Sequence, residues 1–179
     1  MLLRLRKGNG TRQNRDVLVC LREDGSQTYS NLGPGLSYHD LTHYAIENTL
    51  GCQNAFFGLI SQGWDIETFT QKNPATGDYP KTFPETMQVE TLAVLFQAAM
   101  QDGTPDTQTL AALEVGCAAN GVPPLRLTAE QLAVIREHLN GLWRQWEQTS
   151  PGKWLELPFP DVSLLGSVTT SEKPKAQQA

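Results

Sequence analysis

Between residues 129 and 148 the apolar positions Leu132, Ile135, Leu139, Leu142 and Trp146 recur at steps of three and four, with polar residues between them. An α-helix turns once in about 3.6 residues, so these side chains share one stripe, and the spacing predicts a helix over 129–148 that buries it. Val89, Leu92, Ala93, Phe96, Ala99 and Met100 repeat the pattern over 83–102. These two helices are expected to form the main core contact. Trp143 and Trp146 read as core or rim residues of that contact. Before residue 36 the period changes. "LLRLR" alternates apolar and basic residues, "VLVCL" is apolar on both faces, and "SQTYS" is short and compatible with a strand. "KGNG" and "EDGS" supply turn residues, so residues 1–30 are predicted to form a small antiparallel β-meander. Residues 17–21 belong in its middle because they alone can bury both faces.

Start and stop signals define the remaining helices. Ser37 with Asp40, Thr82 with Glu85 and Thr128 with Gln131 have capping-box spacing, and Pro105 after Thr104 suits a first helical position. Gly51, Gly63, Gly103 and Gly121 each follow an apolar helical stretch. Helices are therefore expected near 38–50, 54–62, 83–102, 105–120 and 129–148. "FFGLISQGWDIETF" gathers Phe56, Phe57, Trp64, Ile66 and Phe69 in an aromatic corner that locks the second helix to the core. "SPGKWLELPFPDVSLL" has too many prolines for a helix and is expected to wrap over the body, anchored by Trp154, Leu157 and Phe159.

The fold class that results is α+β: one mostly α-helical domain over 1–165 with a small N-terminal antiparallel β-meander. It divides into the meander (1–30), a helical body (36–150) and an extended wrapping segment (151–165). Residues 166–179 are nearly free of apolar side chains and are expected to be disordered.

Composition adds exclusions. The apolar runs of about five residues fall far short of the roughly 20 that span a bilayer, and the N-terminus lacks the uninterrupted apolar core of a signal peptide. A soluble, cytoplasmic protein is expected. Cys20, Cys52 and Cys117 are odd in number and widely spaced, which suits buried free thiols better than disulfides or a zinc knuckle. The net charge of −5 is unevenly spread: residues 1–22 carry about +5 and the rest about −10. Arg4, Arg6, Arg12 and Arg15 offer a surface for an acidic protein partner, although lysines and arginines on a β-edge also serve to prevent aggregation. The absence of a basic domain with a recognisable motif argues against nucleic acid. No phosphate-binding glycine loop and no GxSxG nucleophile elbow occur in the sequence.

Candidate chemistry concentrates in "YHDLTHYAIE", residues 38–47. On a helix His39, His43 and Glu47 lie at i, i+4 and i+8 on one side, and two imidazoles one turn apart can share a divalent metal. "HDLTH" resembles the HExxH helix of zinc metalloproteases over five residues, with Asp40 replacing the glutamate that acts there as general base. The shorter aspartate does not reach as far, and Glu47 lies about 12 Å along the axis from His39, so a third ligand must come from elsewhere. An HD phosphohydrolase would need a histidine before His39, and none exists. His138 flanks the apolar stripe of 129–148 and is the expected third ligand. The reading is a small binding or interaction protein holding zinc or another divalent metal through the HDLTH helix. The alternative is a metal-dependent hydrolase with ligands His39, His43 and His138, in which Asp40, Glu47 or Glu137 support the ligands or move protons. Without metal, Asp40 would serve as a helix N-terminal charge and His43 with Glu47 as an i, i+4 pair.

Overall fold

A computed structural model describes residues 1–70 and 83–160. The alternating N-terminal segments form β1 (Leu2–Arg6), β2 (Val17–Leu21) and β3 (Gln27–Asn31), all antiparallel. A fourth strand, β4 (Trp154–Pro158), adds to β1, so the order is β3-β2-β1-β4. Thus part of the expected wrapping segment is an edge strand, and the meander is extended by a strand from the far end of the chain. β1 and β2 bury alternate residues, Leu3, Leu5, Leu18 and Cys20, beneath the helices, while their other faces are half exposed. Val17–Leu21 is internal to the sheet, but the expected burial of both its faces is not found: only alternate residues are buried, because the helices cover one face. Asp161 and everything beyond it, including the tail 166–179, lie outside the described residues.

Six helices follow among the described residues: α1 (Leu36–Leu50), α2 (Phe56–Ser61), α3 (Ile66–Thr70), α4 (Pro84–Asp102), α5 (Asp106–Ala119) and α6 (Ala129–Gln148). The short α3 was not anticipated within the aromatic corner. α1 and α4 end at Gly51 and Gly103 in the left-handed conformation, with φ of 68° and 75°, which glycine adopts without a Cβ clash. At α6, Thr128 and Gln131 form the predicted reciprocal capping box. Two other start signals resolve differently. Pro105 is the cap of α5 rather than its first helical residue, and Thr82 lies outside the described residues.

The correction that matters most for the site concerns the core. α4 and α6 do not make the principal contact with one another; each packs on α1, which lies between them. They meet at Arg136 of α6, whose guanidinium lies 5.0 Å from the Phe96 ring centroid and pairs with Asp106. α1 is buried from Asp40 to Thr49 without interruption, so its polar side chains are interior groups.

The basic N-terminal residues are partly consumed by the fold. Arg4 pairs with Glu156 at 2.8 Å and stacks over Trp154, which is an exposed edge residue rather than a buried anchor. Lys7 donates to the carbonyls of Trp146 and Glu147 at the end of α6, where cations offset the helix dipole. Arg6 reaches Asn14, and Arg12 and Arg15 stay exposed.

Candidate metal centre

The start of α1 is set by Gly35 in the left-handed conformation (φ 79°), two residues before the predicted cap. Ser37 lies inside the helix and donates its hydroxyl to Asp16 Oδ2 at 2.5 Å. Asp40 consequently does not complete a capping box; it is a buried carboxyl in the body of the helix, and its Oδ2 has no hydrogen-bond partner among the described residues. Burial pushes its pKa up to about 7, with His43 and His39 pulling it back. Its charge in turn reaches Cys20, whose thiol is driven to about 12, chiefly by burial. Cys20, Cys52 and Cys117 are all free and buried.

His39 and His43 sit one turn apart, as their spacing requires, with ring centroids 4.7 Å apart. The residue facing both comes from α4. Glu90 Oε2 lies 3.0 Å from His43 Nε2, and Glu90 Oε1 lies 3.6 Å from His39 Nε2. One donor atom from each of His39, His43 and Glu90 falls within 4.8 Å of the others. Exposure grows from His43 (5 %) through His39 (23 %) to Glu90 (45 %), so the cluster is rooted in the core and opens to solvent on the α4 side.

Electrostatics tie the cluster together. Burial works against charge on His43, yet hydrogen bonds to Glu47 and Glu90 lift its pKa to about 10. Hydrogen bonds from His39 and His43 hold Glu90 well below the usual carboxylate range. Glu47 is fully buried. Burial raises its pKa, opposed by His43 and by the amides of Gly58 and Phe57. His43 is thus held between two carboxyl groups, with Nδ1 at 3.2 Å from Glu47 Oε1 and Nε2 at 3.0 Å from Glu90 Oε2.

The three side chains could hold a metal ion. Ligand atoms at about 2.0–2.2 Å from a tetrahedral zinc stand about 3.3–3.6 Å apart, against donor separations here of up to 4.8 Å. Two imidazoles and one carboxylate suit zinc, iron, nickel or manganese rather than calcium or magnesium, which favour all-oxygen surroundings.

Of the residues the sequence singled out, the structure brings His39 and His43 into one cluster and sets Glu47 directly behind His43. His138 lies elsewhere: its ring packs edge-on against Tyr44, with centroids 5.6 Å apart, and the third member of the cluster is Glu90. Glu137 is exposed on α6. Glu90 escaped notice because a carboxylate beside Val89 at the border of an apolar stripe looks like any solvent-facing helix residue. Its only sequence signal is that position, next to the buried face of α4. No helix among the described residues is long and apolar enough to cross a membrane. No protein family, curated protein or solved structure matches the chain.

Proposed function

We propose that this chain is a metal-binding protein whose His39, His43 and Glu90 hold one divalent transition-metal ion, with zinc as the reference case. The observation that carries this reading is the convergence of three donors from two helices within 4.8 Å, anchored by a histidine that is 5 % exposed. A buried histidine flanked by two carboxyl groups is costly to maintain for packing alone. On binding, the ion replaces the proton on the His43 nitrogen that faces Glu90, and that proton passes to solvent.

Elemental analysis and titration calorimetry on untagged protein test the proposal. One zinc per chain is expected, lost in His43→Ala and in Glu90→Ala. Zinc at about a hundredfold excess over its Kd adds roughly 2.7 kcal/mol of stability, which appears as a raised Tm. A wild-type chain whose Tm is unmoved by zinc, iron(II), manganese, cobalt or nickel would overturn the reading.

Hydrolysis is a second reading, supported by the exposure of Glu90 and His39 on the solvent side. Three protein donors leave room for a bound water, whose pKa zinc lowers towards about 7. Zinc-loaded protein would then hydrolyse activated esters or phosphoesters faster than His43→Ala does. Equal rates for the two would remove hydrolysis and leave metal binding untouched.

A further inference from the structure

Behind the cluster, Glu47 makes three contacts that no metal ligand needs for itself. Its Oε1 faces His43 Nδ1 at 3.2 Å, and its Oε2 accepts the amides of Phe57 at 2.8 Å and Gly58 at 3.0 Å. All three partners are donors when Nδ1 carries a hydrogen, so the carboxylate favours the form of His43 that keeps Nδ1–H and presents Nε2 to the cluster. Glu47 is completely buried, with no water-exposed alternative for either oxygen.

The turn that supplies those amides is itself pinned to both ligand-bearing helices. A Cβ on Gly58 would lie 2.5 Å from the Gln53 carbonyl oxygen and 2.8 Å from that of Cys52, so only glycine lets the turn fold tightly enough to aim its amide at Glu47. On the opposite side, the Asn54 amide bonds the Glu85 carboxylate and the Thr86 hydroxyl donates to the Asn54 carbonyl at 2.7 Å. Glu85 and Thr86 open α4, the helix that carries Glu90. The segment 51–58 thus bridges α1 and α4 beside the donors they contribute.

We propose that Glu47 is the positioning residue of the metal centre: it fixes His43 to bind the ion through Nε2, and through the Phe57 and Gly58 amides it makes the 51–58 turn part of the site. This rests on the metal-binding reading above. By linkage, whatever tightens the turn tightens the ion, and the ion in turn orders the turn.

The test uses the intact chain and zinc. In ¹⁵N-labelled, zinc-loaded wild type, NMR is expected to show His43 protonated at Nδ1 and metal-bound at Nε2; coordination through Nδ1 overturns the proposal without any variant having to fold. In Glu47→Gln one oxygen cannot serve the ring and both amides together, and zinc affinity is expected to fall roughly 10–100-fold, as for other supporting partners of metal-bound histidines. Leu139→Ala, which weakens the core away from the cluster, is expected to keep wild-type zinc affinity. Unchanged affinity in Glu47→Gln contradicts the positioning role. Hydrogen exchange at Phe57 and Gly58 is expected to slow when zinc binds, whereas identical exchange with and without zinc removes the coupling to the turn. A wild-type chain that takes up no zinc removes the centre and this inference with it, whereas a wild type that binds zinc through Nδ1 removes only the inference.

Discussion

Helices α1 and α6 pack side by side, yet they are built on opposite plans. α6 buries Leu132, Ile135, Leu139, Leu142 and Trp146 on one stripe and leaves polar residues on the other side, so hydrophobic transfer accounts for its position. α1 is enclosed by α4, α6 and the sheet, and the enclosure takes in Ser37, Asp40, Thr42, His43, Glu47, Asn48 and Thr49. Burying ionisable groups opposes folding unless they are paired, and α1 pairs His43 with Glu47 and Glu90 while one Asp40 oxygen has no hydrogen-bond partner among the described residues. The difference teaches which helix holds the molecule together and which one the molecule is arranged around. α6 is held chiefly by its apolar stripe, whereas α1 depends on the identity and orientation of individual polar atoms.

The largest effect is expected from Glu47→Ala. It strips buried His43 of one hydrogen-bond partner and leaves two buried amides unpaired, so urea denaturation of metal-free protein should register a loss of roughly 3–5 kcal/mol. A small loss would mean that α1 tolerates its polar interior no differently from α6 its apolar one. Leu139→Ala on α6 comes next. Deleting a fully buried leucine is expected to cost about 2–5 kcal/mol, with zinc affinity unchanged. A drop in affinity matching the drop in stability would erase the distinction between the two helices.

A pH titration sharpens the comparison further. Burial lifts Asp40 to about 7, while His43, despite burial, is lifted by Glu47 and Glu90 to about 10. A group whose pKa is raised on folding contributes fully below its unfolded value and loses that contribution as pH climbs through the folded one. With unfolded values near 3.9 for aspartate and 6.5 for histidine, metal-free protein is expected to lose stability from about pH 4 to 7 and again from about 6.5 to 10. Asp40→Asn should flatten the first step and stabilise the protein at pH 8; an unaltered profile would show that Asp40 does not titrate there. Zinc binding runs the other way, weakening as pH falls because protons compete for the imidazoles. The smallest effect is expected at Thr128→Ala, which removes the capping box of α6 at a cost of about 1 kcal/mol in thermal or urea melts and leaves every property of α1 alone.

Much of this architecture was legible along the chain. The stripes of α4 and α6, the glycine stops and the Thr128 cap follow from local periodicity and turn chemistry, which act over a few residues. The pairing of β4 with β1 was hidden because a strand's partner is set by long-range register, and the many prolines around "WLELP" disguised an edge strand as a loop. At the candidate site, His39 and His43 announced themselves because four residues of helix bring two rings to the same side. Ser37 misled: its capping spacing to Asp40 was genuine, but Asp16 from the loop before β2 claimed its hydroxyl.

By itself, then, the sequence determined which segments coil, where they stop, and that two imidazoles share a helix face, since backbone geometry alone enforces those relations. Only the tertiary structure decided that α1 is buried from Asp40 to Thr49, that Glu90 rather than His138 faces the two rings, and that Glu47 turns inward to grip a distant turn. Those outcomes depend on which helix lies against which, and a residue at the margin of an apolar stripe faces water or a neighbour according to packing that no local pattern records.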